Sequence, residues 1–183
     1  MDSTKTYLSY VALTLAALFG SVAYAELPSN ELGKTLEKEM LYADQFEGKV
    51  LVLYFWSSKC DGCMDSFSAL EGIQDLAGTT KLQVVAVNQG DSRKRFQKSA
   101  ELFSSAGLIV TRDKSGKIAR KFSAKKLPAF VVINAEGDVV SEIIPQRAMK
   151  DMPSGYRHDM LKQLVKNVDL AVMQSKTLDV VKN

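Results

Sequence analysis

The feature that most constrains this chain is an apolar run that ends shortly before two cysteines. Val50 to Phe55 is rich in β-branched and aromatic side chains, which is typical of a strand covered on both faces. Cys60 and Cys63 follow, and they are the only cysteines among the 183 residues. Apolar side chains then recur every third position from Phe67 to Ile73, which predicts an amphipathic helix. The stretch therefore predicts a buried strand, a turn carrying a C-x-x-C pair, and a helix start.

This arrangement suits thiol–disulfide exchange. The thiolate is the attacking form of cysteine, and the unpaired amides and dipole at a helix start stabilise negative charge there. We therefore predict that Cys60, at or just before the helix start, is the exposed nucleophile. Cys63, one turn inside the helix, would resolve the mixed disulfide. Lys59 favours the thiolate and Asp61 opposes it, so these two neighbours largely offset each other.

The cysteine pair has two alternative interpretations. Half of a zinc site would need two further ligands, and His158 is the only histidine. We therefore expect no metal. A purely structural disulfide across so short a loop would remove little chain entropy from the unfolded state, which makes it a weak crosslink.

Residues 1–25 resemble an export signal. A modestly charged front precedes a mostly apolar segment, and Ala23-Tyr-Ala25 matches the small-x-small cleavage pattern. An uncleaved membrane anchor is the alternative, since residues 7–25 carry no charge. Either interpretation places the folded part outside the cytoplasm, in the periplasm or a similar compartment, where disulfide chemistry is routine.

The remaining residues, 26–183, suffice for a single domain, with its core expected over about 45–172. The net charge of +3 is too small to indicate a nucleic-acid partner. A Ser/His or Cys/His catalytic pair is disfavoured because His158 stands alone, and we expect it on the surface at the start of the last helix.

The rest of the pattern alternates strands and helices. Leu82 to Val87 is a second apolar run, so strand, cysteine helix and strand form a βαβ unit with parallel strands. Asp91 or Ser92 is placed to cap the next helix, which ends near Gly107. Residues 26–49 allow a short helix or an irregular lead-in. The later predicted elements are a strand at 108–111, a brief helix to about 122, a strand within 125–133, an antiparallel return at 139–144, and a last helix that carries an apolar face over 161–172 and frays after about 174.

In this order the elements resemble the thioredoxin-like fold, an α/β fold with a central mixed sheet flanked by helices. Within it the chain is similar to the exported TlpA/ResA group of thiol-disulfide oxidoreductases. The motifs that carry the resemblance span about 45–145: Gly48-Lys-Val, Phe55-Trp56, Cys60-x-x-Cys63, Val85-Ala-Val-Asn88, Asp113-x-x-Gly116, Leu127-Pro128 and Ile133-Asn-x-x-Gly137.

The resemblance implies further site residues. The family's late proline is cis and lies against the disulfide, which implies a cis bond between Leu127 and Pro128. The residue before that proline can pair its backbone with an extended substrate peptide, so Leu127, Pro128 and Trp56 are expected to form the substrate-binding wall. The implied partners are client proteins with thiols or disulfides and a membrane electron donor of the thiol–disulfide type, with no cofactor beyond the Cys60–Cys63 pair.

Five positions differ from the usual family pattern, and one of them is Ser68, where ResA-like reductases have a proline. Members usually have proline where this chain has Gly62, and many have an aromatic residue at the place of Lys59. Thioredoxin has a buried aspartate where this chain has Tyr54. ResA-like reductases carry a glutamate that helps to tune the cysteines, and Ser66 stands there instead, with Asp65 or a bound water as the candidate replacement.

The sequence thus predicts an exported enzyme that reduces client disulfides through Cys60 and Cys63, with cytochrome c maturation as one setting. An oxidase or isomerase of the same fold stays open, since direction depends on reduction potential. So do a copper-binding chaperone module and a scaffold domain whose cysteines are not used. The oligomeric state is not indicated.

Overall fold

The fold is built on a seven-stranded mixed β-sheet. In a computed structural model of the chain, the described residues are 27, 29–103 and 107–181. The strands are β1 (Glu31–Lys34), β2 (Met40–Tyr42), β3 (Val50–Trp56), β4 (Leu82–Gln89), β5 (Ile109–Asp113), β6 (Ala129–Ile133) and β7 (Val139–Ile143). Their spatial order is β2-β1-β5-β4-β3-β6-β7.

Strand β3 lies inside the sheet, between β4 and β6. It runs parallel to β4, with Val50 opposite Leu82 and Trp56 opposite Asn88, and antiparallel to β6. Strands β4 and β5 are also parallel, and β6 and β7 are antiparallel. All seven residues of β3 are buried, as its continuous apolar sequence predicts. The predicted βαβ unit and the late antiparallel hairpin are both confirmed.

Helices cover both faces of the sheet. They are α1 (Phe67–Ala77), α2 (Arg93–Phe103), α3 (Lys117–Lys121) and α4 (Tyr156–Val181). Successive β3 side chains point to opposite faces. Val50, Val52, Tyr54 and Trp56 therefore pack with α1, α2 and α4, whereas Leu51, Leu53 and Phe55 pack in a second cluster with α3 and the N-terminal hairpin.

Two elements differ from the sequence-based expectation. Residues 29–46 form the β1–β2 hairpin and a 3₁₀ turn, Ala43–Phe46, in place of a short helix or irregular lead-in. The hairpin adds to the sheet through β5, a pairing that local sequence does not reveal. Helix α4 continues to Val181, beyond residue 174, after which the sequence predicted fraying.

The N-terminal signal predicted at residues 1–25 lies outside the described residues. Among the helices that the structure does describe, none combines the length and apolar character needed to cross a membrane.

Candidate active site

The two cysteines lie just beyond the carboxyl end of the central strand β3. They form a disulfide, Cys60–Cys63. Cys63 is fully buried and packs within the core, whereas Cys60 is half-buried and lines a surface groove. Cys60 is thus accessible at the surface and Cys63 is not, which is the difference in exposure that the sequence predicts for a nucleophile and a resolving cysteine.

The helix after the cysteines begins later than predicted. Gly62 has φ of +76°, a left-handed conformation that interrupts the backbone path between the two cysteines. Cys63 has right-handed helical backbone and is followed by a 3₁₀ turn, Met64–Ser66, and then by α1 from Phe67. The pair still lies at the N-terminal end of the helical segment, but Cys63 precedes that segment. The expectation that Cys63 lies one turn inside the helix is therefore wrong.

A buried tyrosine, Tyr54, is hydrogen-bonded to the backbone of Cys63. The Tyr54 hydroxyl donates a 2.6 Å hydrogen bond to the Cys63 carbonyl. Burial raises the pKa of the Tyr54 phenol above its ordinary value, so the hydroxyl remains a protonated donor. The position that holds a buried aspartate in thioredoxin therefore contributes a neutral hydrogen bond here.

The structure shows the surroundings of Ser66, at the place of the family's tuning glutamate, and of Asp65, its candidate replacement. The Ser66 side chain is buried, and its Oγ lies 3.5 Å from the Gly62 carbonyl oxygen. Asp65 points outward, with 69% of its side chain exposed, and pairs with Arg157. A carboxylate that is exposed and paired with a cation interacts weakly with its surroundings, so Asp65 stays only a candidate for the role suggested for it.

A different carboxylate, Asp91, is buried and holds the turn that precedes Cys60. Asp91 is 1% exposed and accepts hydrogen bonds from the Ser58 amide at 2.8 Å, from the Ser58 and Ser57 hydroxyls at 3.0 and 3.2 Å, and from the Asn88 amide at 2.8 Å. Burial alone would raise the pKa of Asp91, but the donors on Asn88, Ser58 and Ser57 together lower it below its ordinary value. The ionised carboxylate therefore fixes the turn between β3 and Cys60.

Sequence reasoning missed this role of Asp91. It proposed Asp91 or Ser92 as a helix cap, and Ser92 is the residue that caps α2, through a contact of its Oγ with the Arg95 amide. The available signal was the parallel pairing of β3 and β4, which brings the ends of both strands to the same edge of the sheet.

Beside Cys60 lies a groove of about 550 Å³. It is lined by Ser57, Lys59, Cys60, Asp61, Lys125, Lys126, Leu127, Ala148, Met149 and Lys150. The Leu127–Pro128 peptide bond is cis, as the resemblance implies, and Pro128 is buried. The structure thus brings Leu127 and Cys60, which are far apart in the chain, to one groove.

Trp56 does not line this groove. It is fully buried in the core beneath the turn, where its ring packs edge-on against Phe67 and Phe103. Its indole nitrogen has no hydrogen-bond partner within the part of the chain that the structure describes. Trp56 thus belongs to the packing below the site and not to the wall of the groove.

His158 lies exposed on the first turn of α4, as expected. Within residues 27, 29–103 and 107–181, no group of three or more histidine, cysteine or acidic side chains could hold a metal ion.

Comparison with known proteins agrees with this geometry. A family model described as thioredoxin-like matches residues 48–139, just over half of the chain. The chain therefore belongs to the thioredoxin-like family.

Within that family its curated relatives are enzymes. The chain is 25% identical over 154 residues to the thiol-disulfide oxidoreductase ResA of Halalkalibacterium halodurans, an alignment that covers 76% of this chain and 87% of the relative. It is 24% identical over 170 residues to a ResA of Bacillus cereus, covering 83% of this chain and 95% of the relative. Together with the chain's own Cys60–Cys63 pair, these relatives identify a thiol-disulfide oxidoreductase of the thioredoxin-like family.

Solved structures share the fold. A thioredoxin-family thiol:disulfide interchange protein from Chlorobium tepidum superimposes with a TM-score of 0.63 at 15% identity, covering 84% of this chain and 99% of that one. A DsbF homologue from Corynebacterium diphtheriae gives a TM-score of 0.63 at 18% identity, covering 82% and 89%.

Proposed function

We propose that this protein reduces disulfides of client proteins outside the cytoplasm, with Cys60 as the attacking residue and Cys63 as the resolving residue. The observation that carries the proposal is the asymmetry of the Cys60–Cys63 disulfide, whose first residue opens to a groove and whose second is buried. Lys59, Asp61 and Gly62 are the neighbours proposed to tune the thiol, and Leu127 and Pro128 are proposed to bind the client.

The reaction conserves electrons and protons between the two partners. The Cys60 thiolate forms a bond to one client sulfur, and the client disulfide breaks, releasing its other sulfur as a thiolate. The Cys63 thiolate then attacks the Cys60 sulfur, which forms the Cys60–Cys63 disulfide and releases the second client thiolate. Two electrons and two protons pass from the protein to the client, so an external dithiol donor must restore the reduced form.

The setting of this reaction belongs to the same proposal. We propose that residues 1–25 are a cleaved export signal, that residues 26–183 form one thioredoxin-like domain, and that a membrane protein of the thiol–disulfide type is the donor. Cytochrome c maturation is the client process that the resemblance to the TlpA/ResA group implies, and we include it in the proposal. Reductase as opposed to oxidase or isomerase action is decided by the reduction potential of the Cys60–Cys63 pair.

The role assignment is tested by alkylating the reduced protein. We expect iodoacetamide at neutral pH to modify Cys60 faster than Cys63, because Cys63 is buried, with the modified peptides quantified by mass spectrometry. Faster modification of Cys63 would reverse the two roles.

The client reaction is tested in cells. A Cys63→Ser variant is expected to accumulate mixed disulfides through Cys60, whereas the matched Cys60→Ser variant is expected to accumulate none. Equal yields from both variants would contradict the mechanism. A glutathione-buffered titration then gives the reduction potential and so the direction.

A further inference from the structure

The groove beside Cys60 has an apolar floor and a strongly basic rim. Leu127 and Met149, both half-buried, lie in it with Cys60. Four exposed lysines line it, against a single acidic residue, Asp61. They are Lys59, Lys125, Lys126 and Lys150.

Most of this positive charge has no internal partner. Among the described residues, Lys59, Lys125 and Lys150 form no ion pair. Lys126 donates to the Gln146 carbonyl oxygen, which is a neutral acceptor, so its charge is not cancelled. On the other side of the cysteines, at Gly62, the charges of Asp65 and Arg157 offset each other. The excess positive charge therefore lies on the groove side of the disulfide.

The groove also offers backbone for an extended segment. Within the part of the chain that the structure describes, neither the Leu127 amide nor its carbonyl forms a hydrogen bond. A client strand that pairs with Leu127 would pass Cys60, with its flanking side chains toward the lysines.

We propose that this groove selects client segments in which the target disulfide is flanked by aspartate and glutamate. The inference rests on the proposed reductase function and adds the substrate class. Complementary charge speeds encounter and stabilises the complex, whereas basic flanks meet like charge beside Cys60. Since the lysines are exposed, the preference weakens as salt screens them.

The test uses the reduced protein and two peptides of equal length, each closed by one disulfide. One peptide carries acidic flanks and the other basic flanks, and the release of peptide thiol gives kcat/KM for each. At about 20 mM salt we expect the acidic peptide to react at least about tenfold faster, with the ratio falling toward one at about 500 mM salt. A ratio near one at low salt would overturn the proposal.

Charge-reversal variants show whether the lysines of the groove cause the preference for acidic peptides. Lys125→Glu with Lys150→Glu should lower the acidic-to-basic ratio by at least about tenfold, because both residues line the groove. Lys94→Glu with Lys98→Glu makes the same charge change on exposed positions of α2, outside the groove, and should leave the ratio within about twofold. Equal effects of the two pairs would show that net charge, and not the groove, sets the preference.

A neutral disulfide separates this proposal from the one on which it rests. If the wild-type dithiol fails to reduce hydroxyethyl disulfide, the proposed function is wrong. If it reduces that compound and treats both peptides alike, only the acidic preference is wrong.

Discussion

Replacing Asp91 offers the sharpest test of how the active-site turn is held. In an Asp91→Ala variant, the Ser58 amide and the Asn88 side-chain amide lose their acceptor. The hydroxyls of Ser57 and Ser58 also lose it, but a hydroxyl can rotate toward another acceptor. A buried donor left without a partner costs about 1–3 kcal/mol. Because Ser58 is only half-buried and water can reach it, we expect a loss of about 2–4 kcal/mol in the free energy of unfolding.

An Asp91→Asn variant separates charge from shape. Its oxygen can accept from the same two amides while its own amide donates to the hydroxyls of Ser57 and Ser58. The network then loses the strengthening that a charged acceptor gives, together with the ion pair between the Asp91 carboxylate and Arg95, which is partly exposed to solvent. We expect a cost of about 1–2 kcal/mol, clearly below that of Asp91→Ala.

The pH dependence has a fixed sign. The folded pKa of Asp91 is lowered, so the stabilisation from its ionised form is fully present above the unfolded pKa of about 3.9 and is lost as pH falls through the folded value. The stability difference between wild type and Asp91→Asn should therefore be constant near neutral pH and shrink below about pH 4.

Urea unfolding of the oxidised proteins measures the stability loss in Asp91→Ala, the loss in Asp91→Asn and the dependence of stability on pH. Trp56 is the only tryptophan and is fully buried, so its fluorescence reports the transition. Asp75→Ala, at an exposed position of α1, is the control and should stay within about 0.5 kcal/mol of wild type. The reasoning is refuted if Asp91→Ala behaves like that control, or if Asp91→Asn costs as much as Asp91→Ala.

Three further substitutions probe the surroundings of the disulfide by the same unfolding assay. Tyr54→Phe should cost about 1 kcal/mol, because the Cys63 carbonyl loses the phenol but keeps a backbone donor; a loss above about 3 kcal/mol would contradict this. Gly62→Ala should cost about 1–2 kcal/mol, since its φ of +76° disfavours any side chain, and an unchanged midpoint would argue against that backbone. Arg157→Gln should change stability by less than about 1 kcal/mol, because its pairing with Asp65 is exposed to solvent; a larger loss would mean that the pair is worth more than its exposure suggests.

The sequence predicts the parts of this protein that rest on local patterns. Strands β3 and β4 are continuous apolar runs, which predict buried strands. The C-x-x-C spacing of Cys60 and Cys63 predicts a redox-active pair without any knowledge of the fold. The β1–β2 hairpin was missed because its place in the sheet depends on pairing with β5, far along the chain.

The same limit applies within the site. Asp91 holds a turn that lies 33 residues earlier in the chain, so its partners become visible only once β3 and β4 are paired. The basic rim of the groove combines lysines near residues 59, 125 and 150, which the topology alone brings together. Gly62 was noted as a departure from the family. Its left-handed backbone and the later start of the helix depend on the folded conformation, so the sequence alone did not show them.

Only Cys60 of the disulfide is accessible at the surface, and this fixes which sulfur reacts first, whether the protein reduces or oxidises its client. An incoming thiolate can approach only the sulfur of Cys60, so the departing sulfur is always that of Cys63. Donor and client must then dock over the same atom at different times, and neither can be engaged while the other is bound. A complete turnover is therefore expected to follow ping-pong kinetics, whichever way the electrons flow.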